Sequence, residues 1–250
     1  MFYDSYIMFK RCMRKTMRSP ESIILALVVP VVMMVMFGFV FGGIADLGEI
    51  SYINFIVPGI IIQCVVNGSQ STSFSVYNDM STGIIDRFRS MAISKSAFIT
   101  GHVTMSVIRS VVITAATIGG AFVIGFRPEA GLADWLIASG VLFLFIIAVT
   151  WLTVIIGLIS PDNESINGFA FLFMIFTFLS SAFAPTETFP TVLRIFANNQ
   201  PMTPVINTLR GLMLGFELGN DLWIALAWCV GLIVVGFLLA VKIYKSKLTR

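Results

Sequence analysis

Six long stretches of this chain contain almost no charged residues, and they limit its possible folds more than any other feature. A helix that crosses the hydrocarbon core of a bilayer needs about 20 mostly apolar residues, because that core is about 30 Å thick. Arg109 is the only Lys, Arg, Asp or Glu that falls inside these stretches. The pattern predicts an all-α membrane protein with six transmembrane helices, at residues 23–45, 52–77, 97–126, 135–160, 166–184 and 222–241.

The composition supports the same class. Of the 250 residues, 57% are hydrophobic and 12% are charged, whereas a soluble domain carries about 25% charged residues to cover its surface. The net charge of +3 is too small to indicate a nucleic-acid partner. The first apolar run begins at Ile23 and is too long for a signal peptide, so we expect it to be retained. A single membrane domain is predicted over residues 1–250.

The basic residues predict the orientation. Lys and Arg in short loops favour the cytoplasmic side, and 12 of the 16 basic residues lie in the N-terminal segment, the 78–96 loop and the C-terminal tail. Three, Arg127, Arg194 and Arg210, lie on the opposite side. Both termini are therefore predicted to be cytoplasmic.

Residues 2–18 form a predicted amphipathic helix. Its apolar stripe consists of Phe2, Tyr6, Phe9, Met13 and Met17, and its other side carries Lys10, Arg11, Arg14, Lys15 and Arg18. A basic amphipathic helix lies in the plane of the lipid headgroups, with its cations toward anionic lipid. The alternative is that these cations only determine topology.

Enzyme chemistry finds no support. His102 is the only histidine, so a His-rich metal site is excluded, and Cys12, Cys64 and Cys229 lack the spacing of metal ligands. No Gly-Lys dipeptide occurs, so the phosphate-binding loop of an ATPase is absent. His102 is interpreted as an interfacial packing residue.

The cytoplasmic loop after the second span predicts a short amphipathic helix at residues 82–94. The apolar residues of this loop recur at helical spacing, namely Ile84, Ile85, Phe88, Met91 and Ala92. The charged residues Asp86, Arg87 and Arg89 lie between them. Apolar anchors with a polar rim are typical of a protein docking surface. An interfacial helix that touches only lipid is the alternative.

The segment 185–221 between the last two spans is too long and too apolar for a solvated loop. Phe189, Val192, Leu193 and Phe196 predict one short helix. Thr203 as N-cap and Pro204 at the first helical position predict the start of a second helix, which Gly215 would end. The pair is interpreted as half-inserted helices over the outer mouth of the bundle, with a simple external lid as the alternative.

Polar residues inside the spans have two interpretations each. Asn67, Gln70 and Thr72 in the second span either line a pathway or let helices pack closely through hydrogen bonds. Arg109 either faces protein or water within the membrane, or extends its side chain toward the interface.

Several short motifs, in order along the chain, resemble those of the membrane subunits of type-2 ATP-binding-cassette exporters, in particular the daunorubicin-resistance-like permeases. They are Arg18-Ser19-Pro20-Glu21, the 37–43 segment, Pro58-Gly59, the 85–94 segment, the 160–165 turn, Phe183-Ala184-Pro185, Phe189-Pro190 and the 200–210 segment. Ala92 stands where many members of that family have proline.

The resemblance implies a role for each of these features. Residues 2–18 are the connecting helix. Residues 82–94, hereafter the coupling segment, dock on a separate ATPase subunit through Ile85, Asp86, Arg87, Phe88, Arg89 and Met91, and Asp162 and Glu164 form a smaller second contact. The 185–221 segment is the re-entrant outer gate, with Pro201, Thr203, Pro204 and Asn207.

The same resemblance implies a machine of two permeases, identical or related, and two ATPase subunits that bind ATP and Mg²⁺. This chain holds no cofactor itself and sits in the plasma membrane of a prokaryotic cell. The expected function is export of amphipathic drug-like or lipid-like compounds. Export of polysaccharide or another lipid-linked polymer is the alternative within this architecture, and a membrane-embedded enzyme or sensor subunit is less favoured.

Overall fold

The computed structural model describes residues 2–17, 20–40, 42, 50–82 and 95–248. Within these ranges the chain is helical and has no strand, which confirms the predicted all-α class for this part. The helices are α1 Phe2–Met17, α2 Pro20–Val40, α3 Tyr52–Ser81, α4 Lys95–Ile124, α5 Leu132–Ile159, α6 Asn163–Phe178, α7 Thr191–Asn198, α8 Met202–Leu214 and α9 Asp221–Leu248, with a 3₁₀ turn at Thr186–Thr188.

Helix α3 lies at the centre of the bundle. It contacts α2, α4, α5, α6 and α8, and most of its residues are buried. Its apolar half supplies fully buried side chains such as Ile56, Ile61 and Ile62. The polar half follows in the same helix, and there the side chains of Ser69, Gln70, Thr72 and Ser73 are buried among helices, whereas Asn67 is exposed.

Four of the predicted spans coincide with helices that are long and apolar enough to cross a membrane, namely α3, α4, α5 and α9. Much of α4 and α9 is exposed and apolar, with Val112, Val123 and Leu238 as examples. Such surfaces are unfavourable in water and suit a bilayer. The first predicted span contains the shorter apolar helix Ile24–Val40, and its predicted end lies outside the described residues.

The helix in the fifth predicted span ends six residues before the predicted limit, at Phe178. The Ser180 hydroxyl donates to the Thr177 carbonyl at 2.5 Å and accepts from the Ala182 N–H at 3.2 Å. Such local hydrogen bonds compete with the helical ones and turn the chain. The 16 residues of α6 rise about 24 Å, which is less than the thickness of about 30 Å of the hydrocarbon core. The count of six spans therefore stays a prediction.

The region between α6 and α9 contains two helices, as the sequence indicates, but with one different start. α7 is largely exposed, whereas 12 of the 13 residues of α8 are buried. The predicted Thr203 N-cap is wrong, because α8 begins at Met202 and the Thr203 hydroxyl has no hydrogen-bond partner in the described part of the chain. Gly215 ends α8 with φ 74°, as expected for a left-handed C-cap.

Candidate functional site

A buried carboxylate joins three helices near the C-terminal end of α3. Asp79 is 2% exposed and accepts hydrogen bonds from Arg11 of α1 at 2.5 and 3.0 Å and from Lys15 at 3.3 Å. His102 of α4 places Nε2 3.1 Å from Asp79 Oδ2, the oxygen that also accepts from Arg11 Nη1, and its Nδ1 lies 3.7 Å from the Cys12 sulfur. We refer to Asp79, Arg11, Lys15, His102 and Cys12 as the Asp79 cluster.

The electrostatics of this cluster depend on Asp79. Its hydrogen bond with Arg11 raises the pKa of that guanidinium above its ordinary value. A buried carboxylate is tolerated only where cations and hydrogen-bond donors compensate it. Arg11 and Lys15 therefore contact Asp79, whereas the sequence favours contact with anionic lipid for all five basic residues of segment 2–18, with topology determination as the alternative; Arg18 lies outside the described residues. Lys10 and Arg14 remain exposed.

Apolar packing holds α1 against α4 beside these ionic contacts. Met8 and Cys12 are 2% and 4% exposed. A Cβ atom at Gly101 would lie 2.6 Å from the Cβ of Met8, so the two helices approach this closely only because residue 101 is glycine. Tyr6 and Met17, from the predicted apolar stripe, are exposed. The helix thus has one edge on the protein and another available to lipid.

The coupling segment begins directly after the Asp79 cluster. Thr82 is described, whereas Ile85, Asp86, Arg87, Phe88, Arg89 and Met91 lie outside the described residues.

The predicted second contact lies close to the end of α3, because the Tyr77 hydroxyl donates to the Pro161 carbonyl at 3.0 Å. Asp162 is the N-cap of α6 and accepts from the Ser165 N–H at 2.7 Å, which lowers the pKa of its carboxyl. Glu164 is exposed in the first turn of α6.

Arg109 lies in the middle of α4 and contacts the polar half of α3. Its Nη2 donates to the Gly68 carbonyl and to the Thr72 hydroxyl, both at 3.0 Å. The Thr72 hydroxyl donates to Ser106 at 2.8 Å, and Ser106 lies 3.3 Å from the Thr150 hydroxyl. The structure therefore brings two of the predicted residues, Arg109 and Thr72, into one chain of hydrogen bonds across α3, α4 and α5.

The other two predicted polar residues of α3 lie apart from this chain. Asn67 is exposed and lines a cleft between α2 and α3. Gln70 is 7% exposed, and both polar atoms of its amide lack a hydrogen-bond partner among the described residues. The Gln70 amide is therefore a buried polar group that the described helices leave unpaired, which is unusual in a folded protein.

At the opposite end of the bundle, Arg210 of α8 connects three segments. Its guanidinium donates to the Phe55 carbonyl at 3.1 Å, to the Ser181 carbonyl at 2.6 Å and to Asn207 Oδ1 at 3.3 Å, and it stacks 3.8 Å from the centre of the Phe55 ring. Asn207 also accepts from the Ser181 hydroxyl at 2.7 Å.

The remaining predicted gate residues, Pro201, Thr203 and Pro204, lie at the start of α8. They surround the first turn of this buried helix and precede the Arg210 contacts by two turns.

Sequence reasoning missed Asp79 and Arg210. Asp79 is a single acidic residue at the end of an uncharged span, and the predicted basic helix 2–18 lies on the same side of the membrane. This pairing of opposite charges is the sequence signal that could indicate the contact. The sequence places Arg210 in an external loop as an exposed cation, whereas the structure shows it 8% exposed. No local pattern marks it, since its partners come from positions 55 and 181.

Comparison with known proteins gives consistent matches. The family described as ABC-2 type transporter matches residues 3–214, from α1 through the end of α8. The daunorubicin resistance ABC transporter permease protein DrrB1 of Streptomyces coeruleorubidus is 29% identical over 95% of this chain and 84% of its own length. The probable doxorubicin resistance ABC transporter permease protein DrrC of Mycobacterium tuberculosis is 25% identical over 90% and 82%. The putative transport permease ycf38 of Cyanophora paradoxa is 24% identical over 97% and 89%.

Proposed function

Because this chain belongs to the ABC-2 type transporter family and is a transport subunit rather than an enzyme, we propose that it exports amphipathic drug-like or lipid-like compounds from the cell. The drugs named in its relatives, daunorubicin and doxorubicin, support this substrate class. The energy comes from ATP, bound with Mg²⁺ in a separate ATP-binding subunit. The membrane is the plasma membrane of a prokaryotic cell.

The working assembly consists of two such permeases, identical or related, and two ATP-binding subunits. Both chain termini and the coupling segment face the cytoplasm, six spans cross the membrane, and the α7–α8 region forms a re-entrant outer gate. The extensive burial of α8 supports that position, because a solvated lid would expose one side. Pro201, Thr203, Pro204 and Asn207 belong to the gate.

The ATP-binding subunit docks on the coupling segment through Ile85, Phe88 and Met91, while Asp86, Arg87 and Arg89 orient it. Asp162 and Glu164 form the second contact. The hydrogen bond between Tyr77 and Pro161 supports this arrangement, since it ties the second contact to the end of α3.

The observation that carries the mechanism is the Asp79 cluster. It fastens α1 and α4 to α3 three residues before the coupling segment begins. A displacement of that segment would therefore move three helices together instead of bending α3 alone. Closure of the two ATP-binding subunits pushes on the segment, and the two permeases rock to open the pathway outward.

The test uses the permease co-purified with its ATP-binding subunit and reconstituted into lipid vesicles. We expect ATP-dependent transport of an amphipathic dye by the wild type. In Asp79→Asn, ATP hydrolysis and binding of the partner should persist while most transport is lost, because the helices are no longer fastened. Glu217→Gln removes an exposed carboxylate elsewhere and should transport normally. Absence of transport by the wild type would contradict the function, and normal transport by Asp79→Asn would contradict the mechanism.

A further inference from the structure

Three phenylalanine rings stack at the end of the bundle opposite the Asp79 cluster. Phe37 lies in the last turn of α2, Phe178 is the last residue of α6, and Phe183 follows in the connection toward α7. The ring centres of Phe37 and Phe178 lie 4.8 and 4.9 Å from that of Phe183, with interplanar angles of 30° and 19°. Phe183 thus contacts both other rings, and we refer to the three rings as the outer stack.

The outer stack joins two helices that are otherwise separate. Both α2 and α6 pack on α3, and within the described ranges they do not pack extensively on each other. Contacts between aromatic rings stabilise a structure by more than the burial of their apolar area alone. The outer stack therefore spans the gap between the ends of α2 and α6.

The backbone that carries Phe183 is fixed to α3. The Tyr52 hydroxyl, at the start of α3, donates to the Phe183 carbonyl at 3.1 Å. A Cβ atom at Gly59 would lie 2.6 Å from the Cα atom of Ala182, so the connection approaches α3 this closely only because residue 59 is glycine. Phe183 thus keeps its place on α3, whereas the other two rings belong to α2 and α6. A separation of either helix from α3 would part the stack.

The same connection is bound to α8, the helix that carries the predicted gate residues. The Ser181 carbonyl accepts from Arg210 at 2.6 Å, and the Ser181 hydroxyl donates to Asn207 Oδ1 at 2.7 Å. Asn207 is one of the predicted gate residues. The ring of Phe183 is therefore carried two residues from a direct contact with α8.

A cleft between α2 and α3 ends one helical turn before the outer stack. It has a volume of about 330 Å³, and α2 contributes a wall from Leu25 to Met33. Phe37 follows Met33 by four residues and so lies one turn further along the same face of α2. Beyond the cleft the two helices are in close contact, because a Cβ atom at Gly38 would lie 2.8 Å from Cγ1 of Ile53. The last turn of α2 thus closes this end of the cleft.

We propose that the outer stack is the final barrier on the export path and that it favours substrates with a flat aromatic ring system. The inference rests on the proposed export function and narrows its substrate class. When α2 or α6 moves away from α3, Phe183 loses a ring contact, and a flat ring of the passing substrate replaces it. A saturated ring system buries a similar area but cannot stack. One ring contact changes a rate by about two- to tenfold.

The test compares two radiolabelled amphiphiles with the same polar group. One carries an anthracene ring system, and the other carries the fully hydrogenated, non-planar form of the same carbon skeleton. The permease and its ATP-binding subunit are reconstituted into vesicles, and ATP-dependent transport is measured over a range of probe concentrations, expressed per lipid. We expect the wild type to transport the aromatic probe with a maximal rate at least about fivefold higher, and the half-saturating concentrations should differ by less than about twofold.

Substitution of Phe183 tests the role of the ring. Phe183→Leu keeps an apolar side chain and removes the ring, so the preference should fall below about twofold, whereas Phe183→Tyr should keep it. Phe143→Leu is the matched control, because it removes an exposed ring of α5 and should behave as the wild type. Persistence of the preference in Phe183→Leu, or its loss in Phe143→Leu, would overturn the proposal. If Phe183→Leu does not assemble, Phe37→Leu tests the same stack from α2.

The kinetic constants separate a barrier from a binding site. A preference found only in the half-saturating concentration would place aromatic recognition elsewhere and contradict the assignment to the outer stack. Equal transport of both probes by the wild type would support export and contradict the role of the stack. Absence of ATP-dependent transport of both probes would contradict the export function, and with it a barrier on the export path.

Discussion

The carboxylate of Asp79 on α3 lies 2.5 Å from the guanidinium of Arg11 on α1, and this pair connects positions that are 68 residues apart in the chain. Asp79 is 2% exposed while Arg11 is 33% exposed, so substitution of one residue has a different consequence from substitution of the other. Removal of the cation leaves a carboxylate that still has Lys15 and His102. Removal of the carboxylate leaves cations that can turn to water.

Replacement of Asp79 should loosen α1 without unfolding the bundle. We expect Cys12, which is 4% exposed, to react with a maleimide at least about tenfold faster in Asp79→Asn, because loss of a charged hydrogen bond of about 1.5–3 kcal/mol increases local opening. The measurement uses a Cys64→Ser, Cys229→Ser background, so that Cys12 is the only thiol. An unchanged labelling rate would show that Met8 packing alone holds α1.

The ionic contacts should be coupled to one another. Arg11→Ala is expected to lower the thermal midpoint more than Lys15→Ala, because Arg11 donates twice to Asp79, whereas Lys15 donates to it once, at 3.3 Å, from a side chain that is 46% exposed. In the Asp79→Ala background both substitutions should have little effect, since the acceptor is already gone. Additive effects in that double-mutant cycle would exclude a direct interaction.

Gly101 should tolerate no side chain. Gly101→Ala places a Cβ atom 2.6 Å from Met8 and is expected to destabilise the α1–α4 contact by about 1–3 kcal/mol. Gly119→Ala is the matched control, because that glycine is in the same helix and has nothing within 4 Å of the new atom. Thermal unfolding in detergent compares the two variants, and equal midpoints would contradict the packing argument.

Arg210 should be essential for the packing of α8. Arg210→Met removes hydrogen bonds to Phe55, Ser181 and Asn207, and we expect a loss of at least about 2 kcal/mol, because hydrogen bonds to charged groups are worth about 1.5–3 kcal/mol each. Arg194→Met removes an exposed arginine of α7 and should be close to neutral. Similar unfolding midpoints for the two variants would argue against a structural role of Arg210.

The docking role of the coupling segment has its own test. Asp86→Arg combined with Arg89→Glu should abolish ATP-dependent export and leave the permease inserted, because the charges that orient the partner are reversed. Export is measured in vesicles, and the partner is followed by co-purification. Normal export together with normal co-purification would remove Asp86 and Arg89 from the docking surface.

Much of the helical framework could be predicted from hydropathy. The predicted second, third, fourth and sixth spans correspond to α3, α4, α5 and α9, and the family resemblance is confirmed by the match over residues 3–214. The predictions were weaker where the chain turns. α6 ends early, where the Ser180 hydroxyl bonds to backbone, and α8 begins at Met202, so that Thr203 lies inside the helix and makes no capping hydrogen bond. Such effects involve single hydrogen bonds, which average hydropathy does not contain.

The membrane class and the helical content follow from composition and hydropathy, because a chain with so little charge can satisfy its backbone in lipid only through helices or a closed barrel and its apolar runs have the length of spanning helices. The sites required the packed helices. Asp79 meets Arg11 and His102, and Arg210 meets the carbonyls of Phe55 and Ser181, because helices from distant parts of the chain lie side by side. Each of these side chains obeys the same rule, that a buried charge needs partners, but which partners it has depends on helix packing, and hydropathy along one chain carries no information about that.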